Sequence, residues 1–154
     1  MSDYTRTTRE CAPAQLKPEL LLAIRAYAEQ HELGNVEADS RLCVETHSEK
    51  KKKGFFASLG GGDPDPFNDT ALLLTPAWLI WARSGPKSGA VVSGARLRDA
   101  QVSAFESKLI PDTGLEVQSS LAGSPEPVVA FIPLGPESAA EITERVKAAV
   151  KSAA

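Results

Sequence analysis

Thiols are scarce in this sequence. Its 154 residues include only two cysteines, Cys11 and Cys43, and neither sits in the close spacing of a metal-binding motif. A cytoplasmic location is therefore expected, and a Cys11–Cys43 disulfide is not. Histidine is equally rare, with only His31 and His47 present. The plentiful serines never fall in a Gly-x-Ser-x-Gly elbow, so nothing marks an activated nucleophile. These shortages argue against an enzyme. Long apolar runs are also missing, since no window approaches the roughly 20 apolar residues of a membrane-spanning helix. Met1 to Arg6 carry acid and hydroxyl groups where a signal peptide has its apolar stretch, and no C-terminal lipidation motif occurs. The formal net charge of −3 gives no overall attraction to nucleic acid or to an anionic membrane. Any basic site is local.

What is present describes one globular domain. Hydrophobic residues make up 42% and charged residues 24%, and the length suffices for a single sizeable core. The most apolar stretch, Ala71 to Arg83, holds both tryptophans and is split by Thr75-Pro76-Ala77. Proline removes a backbone donor and fixes its own φ, so two strands joined by a tight turn fit better than one helix. In the second strand Trp78, Ile80 and Ala82 point one way, and Leu79 and Trp81 the other. Both faces are apolar, which a sheet with one face in water does not produce. A further layer is expected over the face of Leu79 and Trp81. The N-terminal helix is the first choice, and a partner subunit docked on those two residues is the alternative. Monomer and homodimer both remain open.

Around this hairpin the chain divides simply. Residues 1–12 are polar and aperiodic and read as a flexible tail. Residues 13–34 hold a helix: Pro18 and Glu19 suit its first turn, Gly34 its end, and Leu20, Ile24, Tyr27, Ala28 and His31 form its stripe. Residues 36–154 form the main domain. Leu42, Val44 and Thr46 alternate with polar neighbours as in a half-buried strand. Phe55 to Leu59 is a possible short strand, and residues 60–69 read as loop. Strands follow over residues 70–75, 78–83, 90–95, 101–107, 115–121 and 127–133. A last helix opens at Gly135-Pro136-Glu137 and buries Ala139, Ile142, Val146, Ala149 and Val150. Strands joined only by turns pair antiparallel, and a run of about seven closes into a barrel or sandwich.

Three patterns invite a metal or phosphate and do not sustain it. Cys43, Glu45 and His47 share one face of a strand, yet same-face neighbours lie about 6.6–7 Å apart, so the outer two cannot share an ion unaided. Asp63, Asp65, Asn68 and Asp69 imitate a calcium loop without its glycine or terminal acid. Gly60-Gly61-Gly62 opens no helix and is no phosphate cradle. No cofactor or metal is expected.

The hairpin from Thr70 to Ala82 resembles the opening motif of bacterial pleckstrin-homology-like (PH/GRAM-like) domains of unknown function, in which a strand ending in Leu-Thr turns directly into the next. Leu97 to Val102 is similar to the family's Leu-x-Asp-Ile-x-x-Val segment. Gly114 to Val117 resembles its later glycine-led strand, and Phe131 with the helix Glu137–Val150 its terminal strand and helix. Pro76-Ala77 stands where the family carries Asp-x-Arg. The resemblance spans about residues 36 to 152. It implies a mainly β, bent antiparallel barrel of about seven strands, with a C-terminal helix plugging one end and loops ringing the other; the N-terminal helix is an addition. It further implies that Lys50, Lys51, Lys52 and Lys53, in the loop between the first two strands, with Lys87 in a second loop, could grip an anionic lipid or phosphate. The same lysines equally serve as a solvated turn that guards an edge strand, which is the favoured reading. Nucleic-acid binding is not expected, because no extended basic face carries interleaved aromatics. The expected role is a non-enzymatic binding or adaptor module for a protein or peptide.

Overall fold

The computed structural model describes residues 3–51, 65–109, 111–120 and 126–153. Its elements run β1 (Tyr4–Glu10), α1 (Pro18–Gln30), β2 (Leu42–Lys50), β3 (Phe67–Leu74), β4 (Trp78–Gly85), β5 (Gly89–Arg96), β6 (Gln101–Ala104), β7 (Gly114–Ser120), β8 (Pro127–Pro133) and α2 (Ala139–Ala153). All pairing is antiparallel, in a five-stranded sheet ordered β1-β2-β3-β4-β5 and a three-stranded sheet ordered β6-β7-β8. The architecture is mainly β with two helices. The described strands form two separate sheets and no closed barrel, so the continuous barrel implied by the resemblance is not what these residues display. The strand considered at Phe55 to Leu59 lies outside the described residues.

The tight turn between β3 and β4 has a local cause. Thr75 Oγ1 accepts the Trp78 amide at 3.0 Å, while the Thr75 amide donates to the Trp78 carbonyl at 2.9 Å. Pro76 supplies the fixed φ that such a turn uses. From here the register sets Leu72 opposite Trp81 and Leu73 opposite Ile80.

Each face of the five-stranded sheet then builds its own core. Cys43, Ala71, Leu73, Ile80 and Ala82 meet Leu16, Leu20, Ile24 and Ala28, with α1 as the roof. On the opposite face Leu42, Val44, Leu72, Leu74 and Leu79 meet Leu115, Val117 and Ile132 of the small sheet and Ile142 and Val146 of α2. Each buried Leu or Ile contributes about 1.5–3 kcal/mol. The helix does cover its own sheet, but on the Ile80–Ala82 side. Leu79 is fully buried and Trp81 packs on the same core. Leu79 is therefore filled in from within the chain, by the small sheet and α2, and is no surface for a partner. Gly94 of β5 lets α1 sit close, because a Cβ there would lie 3.0 Å from the Tyr27 ring.

The tail expected over residues 1–12 is instead an ordered strand from Tyr4 to Glu10, paired with β2 from Tyr4↔Lys50 to Glu10↔Val44. Its inward face is polar, which is why it carries no apolar period. Arg6 reaches Asp112 and Ser48, and the Thr8 and Thr46 hydroxyls meet at 2.6 Å. Phe67 to Asp69, expected as loop, likewise begin β3 and pair with Glu49 to His47.

Candidate functional site

Antiparallel pairing brings the end of β2, the start of β3, the end of β4 and the start of β5 to one end of the large sheet. Asp65 fastens this end. Its carboxylate accepts the Lys87 amide at 2.6 Å and the Ser88 hydroxyl at 2.5 Å. The Ser88 hydroxyl first, and then the Lys87 amide, hold its pKa below the usual range. Gly85 makes room for it, since a Cβ there would collide with the carboxylate. Lys50 and Lys87 therefore share one end of the sheet, about 10 Å apart by strand spacing. Lys51 borders an open groove of ≈ 630 Å³ with Tyr4, Arg6, Glu106 and Asp112. Arg6 and Asp112 pair with each other there, and the Glu106 carboxylate also borders the groove, which disfavours a phosphate. Lys87 lies on the β4–β5 turn beside the cleft described next. Lys52 and Lys53 lie outside the described residues.

The second concavity is a cleft of ≈ 280 Å³ between the sheets, bordered by Thr70, Trp81, Arg83, Val91, Phe131 and Pro133. β3 and β4 supply Thr70, Trp81 and Arg83, β5 supplies Val91, and β8 supplies Phe131 and Pro133. Thr70 is 3% exposed, and its Oγ1 has no hydrogen-bond partner. Asn68 Oδ1, one same-face step along β3, is orphaned in the same way. A buried polar atom left unpaired costs about 1–3 kcal/mol. Val91 is 63% exposed and Phe131 36%, so apolar surface stands open around these unmet groups. Trp81 was the one member legible in the sequence. The others come from strands far apart in the chain and meet only through the packing of one sheet on the other.

A polar cluster lies across the sheet, at the start of α1. Asp69, 3% exposed, accepts Lys17 Nζ at 2.6 Å and engages His47 Nδ1 at 2.8 Å, while His47 Nε2 meets Glu49 at 3.0 Å. Glu45 accepts the Lys17 amide at 2.8 Å and Arg9 Nη2 at 2.9 Å, completing the helix start that no local side chain caps. Cys43, Glu45 and His47 are thus committed to separate partners, and the described residues contain no group of three metal ligands. Both imidazole nitrogens face carboxylates, and neither engages a hydroxyl among the described residues. The bond to Asp69, followed by that to Glu49, raises the His47 pKa. A raised folded-state value means that its stabilisation is complete below the unfolded value of about 6.5 and fades as pH rises through the folded one. In thermal melts, the Tm advantage of the parent over His47→Gln is expected to shrink between those two values; an advantage independent of pH counts against the imidazolium.

No described helix is long and apolar enough to cross a membrane. Comparison with protein-family models, curated proteins and solved structures finds no match to this chain.

Proposed function

We propose that this chain is a non-enzymatic binding module of pleckstrin-homology-like architecture, whose inter-sheet cleft takes an apolar side chain of an extended peptide. The observation that carries the reading is the cleft itself, where the exposed Val91 and Phe131 meet Trp81 between the two sheets. The architecture is supported by the order of four strands (β2 to β5), three strands (β6 to β8) and a terminal helix. β1 and α1 are then additions to it.

The peptide backbone has a place beside the cleft. β8 is an outer strand of the small sheet. The Leu134 amide donates to the Thr113 carbonyl at 3.2 Å, and backbone groups alternate along an antiparallel strand. Ile132 and Ala130 therefore face β7, while Phe131 and Val129 turn their amides and carbonyls outward. Pro127 and Pro133 flank them and offer no amide, so the available edge is short. Strand addition there lays alternate peptide side chains toward the cleft, where Trp81, Val91 and Phe131 give apolar contact.

The test is an NMR titration with a library of blocked heptapeptides carrying one central aromatic or branched aliphatic residue. The expected shift changes cluster at Val129, Phe131, Val91 and the Trp81 indole. Trp81→Ala is expected to weaken the best peptide about 10- to 30-fold, about 1.4–2 kcal/mol, with Val91→Ala as the milder variant. Shift changes confined to the α1 face, or unchanged affinity in both variants, overturn the proposal.

A further inference from the structure

We infer that Cys11 and Cys43 form a reversible dithiol–disulfide site, oxidised by a small-molecule disulfide, that locks β1 and the segment carrying α1 onto the large sheet. The register carries this inference. β1 and β2 pair up to Glu10↔Val44, which sets Cys11 opposite Cys43. The Cys11 amide donates to the Cys43 carbonyl at 3.0 Å, and the two sulfur atoms stand 4.0 Å apart as free thiols. Opposed hydrogen-bonded residues have Cα atoms about 5.5 Å apart, within the 4.4–6.8 Å that a disulfide spans. Closure asks the sulfurs to approach by about 2 Å. Because the β-carbons of a hydrogen-bonded pair stand wider than the roughly 3.5–4.5 Å of a disulfide, it takes a small backbone adjustment at Cys11, just past the end of β1, together with side-chain rotation.

The surroundings set the order of events. Cys43 is 3% exposed inside the core beneath α1, whereas Cys11 is partly exposed at the end of β1. Burial raises both thiol pKa values, so exchange is slow and begins at the accessible sulfur. Cys11 thiolate attacks one sulfur of the oxidant RSSR, forming a mixed disulfide and releasing RS⁻. Cys43 then attacks Cys11 Sγ and releases the second RS⁻. The two protein thiol protons pass to the two RSH products, so the protein loses two electrons and the oxidant gains them.

The result encloses residues 12–42, including all of α1. A closure of this span limits the unfolded chain and adds a covalent tie to an edge strand that pairs with β2 alone among the described strands.

The test is incubation of the full folded chain with oxidised glutathione, read by intact mass, by mapping of non-reduced peptides and by thermal denaturation. Support consists of a monomer lighter by two hydrogens, a linked Cys11–Cys43 peptide and a Tm rise of about 5–10 °C that dithiothreitol reverses. Cys11→Ser, altered at the accessible position, is expected to show no such rise. A glutathione adduct that persists on Cys11 of the parent overturns the inference, as does a disulfide-linked dimer. So do thiols that survive in the native chain yet oxidise once it is unfolded in urea.

Discussion

Replacing Arg6 with alanine is expected to destabilise the fold by about 3–5 kcal/mol, the cost typical of breaking a buried ion pair from one side. The guanidinium is almost fully enclosed, with side-chain exposures of 6% for Arg6 and 11% for Asp112. Its Nε and Nη2 donate to the two Asp112 oxygens at 2.8 and 2.7 Å, and Nη1 donates to Ser48 at 2.6 Å. The Tyr4 ring lies 4.5 Å from the guanidinium carbon. Truncation removes the cation while Asp112 stays desolvated in the approach to β7. Urea denaturation measures the loss, which corresponds to a Tm drop of roughly 6–20 °C for a chain of this size. The double variant Arg6→Met, Asp112→Leu is expected to lose less than the two single changes added together, because it leaves no unpaired charge behind. A loss under about 1 kcal/mol for Arg6→Ala makes the contact a surface one in its energetics and defeats the prediction.

Ile24→Ala carries the second large effect, about 2–5 kcal/mol. Ile24 has no exposed surface and lies in the core that α1 forms with Ala71, Leu73, Ile80 and Ala82. Leu22, two residues away, is 63% exposed, and Leu22→Ala is expected to stay within about 0.5 kcal/mol of the parent. The contrast between neighbouring residues separates a helix packed on its own sheet from one that waits for another subunit. Equal, small losses at both sites place the helix off the sheet.

The elements legible in the sequence were those whose burial is apolar and periodic. Leu20, Ile24 and Ala28 at helical spacing, the split run around Pro76, and the final helix all report local burial directly. That both hairpin faces are apolar also signalled a covering layer, although the helix took the Ile80 side. β1 was illegible because its inward residues, Arg6 and Thr8, are buried against Asp112, Ser48 and Thr46. Polar burial leaves no hydrophobic period. For the same reason the opposed cysteines could not be foreseen: their juxtaposition follows from the register of a strand that the sequence does not announce. The cleft depends on contact between strands β3, β4, β5 and β8, so only Trp81 drew attention beforehand.

The two cores that flank the large sheet bear on how its strands find their alignment. A one-residue slip normally turns a hydrophobic face out to water and is rejected for that reason. Here Leu72 and Leu73 each face a core, so a slipped β3 still offers leucine to both sides and polarity alone rejects it weakly. Discrimination passes to the polar half of the strands, where a slip separates Asp69 from His47 opposite it and from Lys17. The charged end of the sheet thus acts as the index mark for an apolar stretch that fits almost equally well either way round.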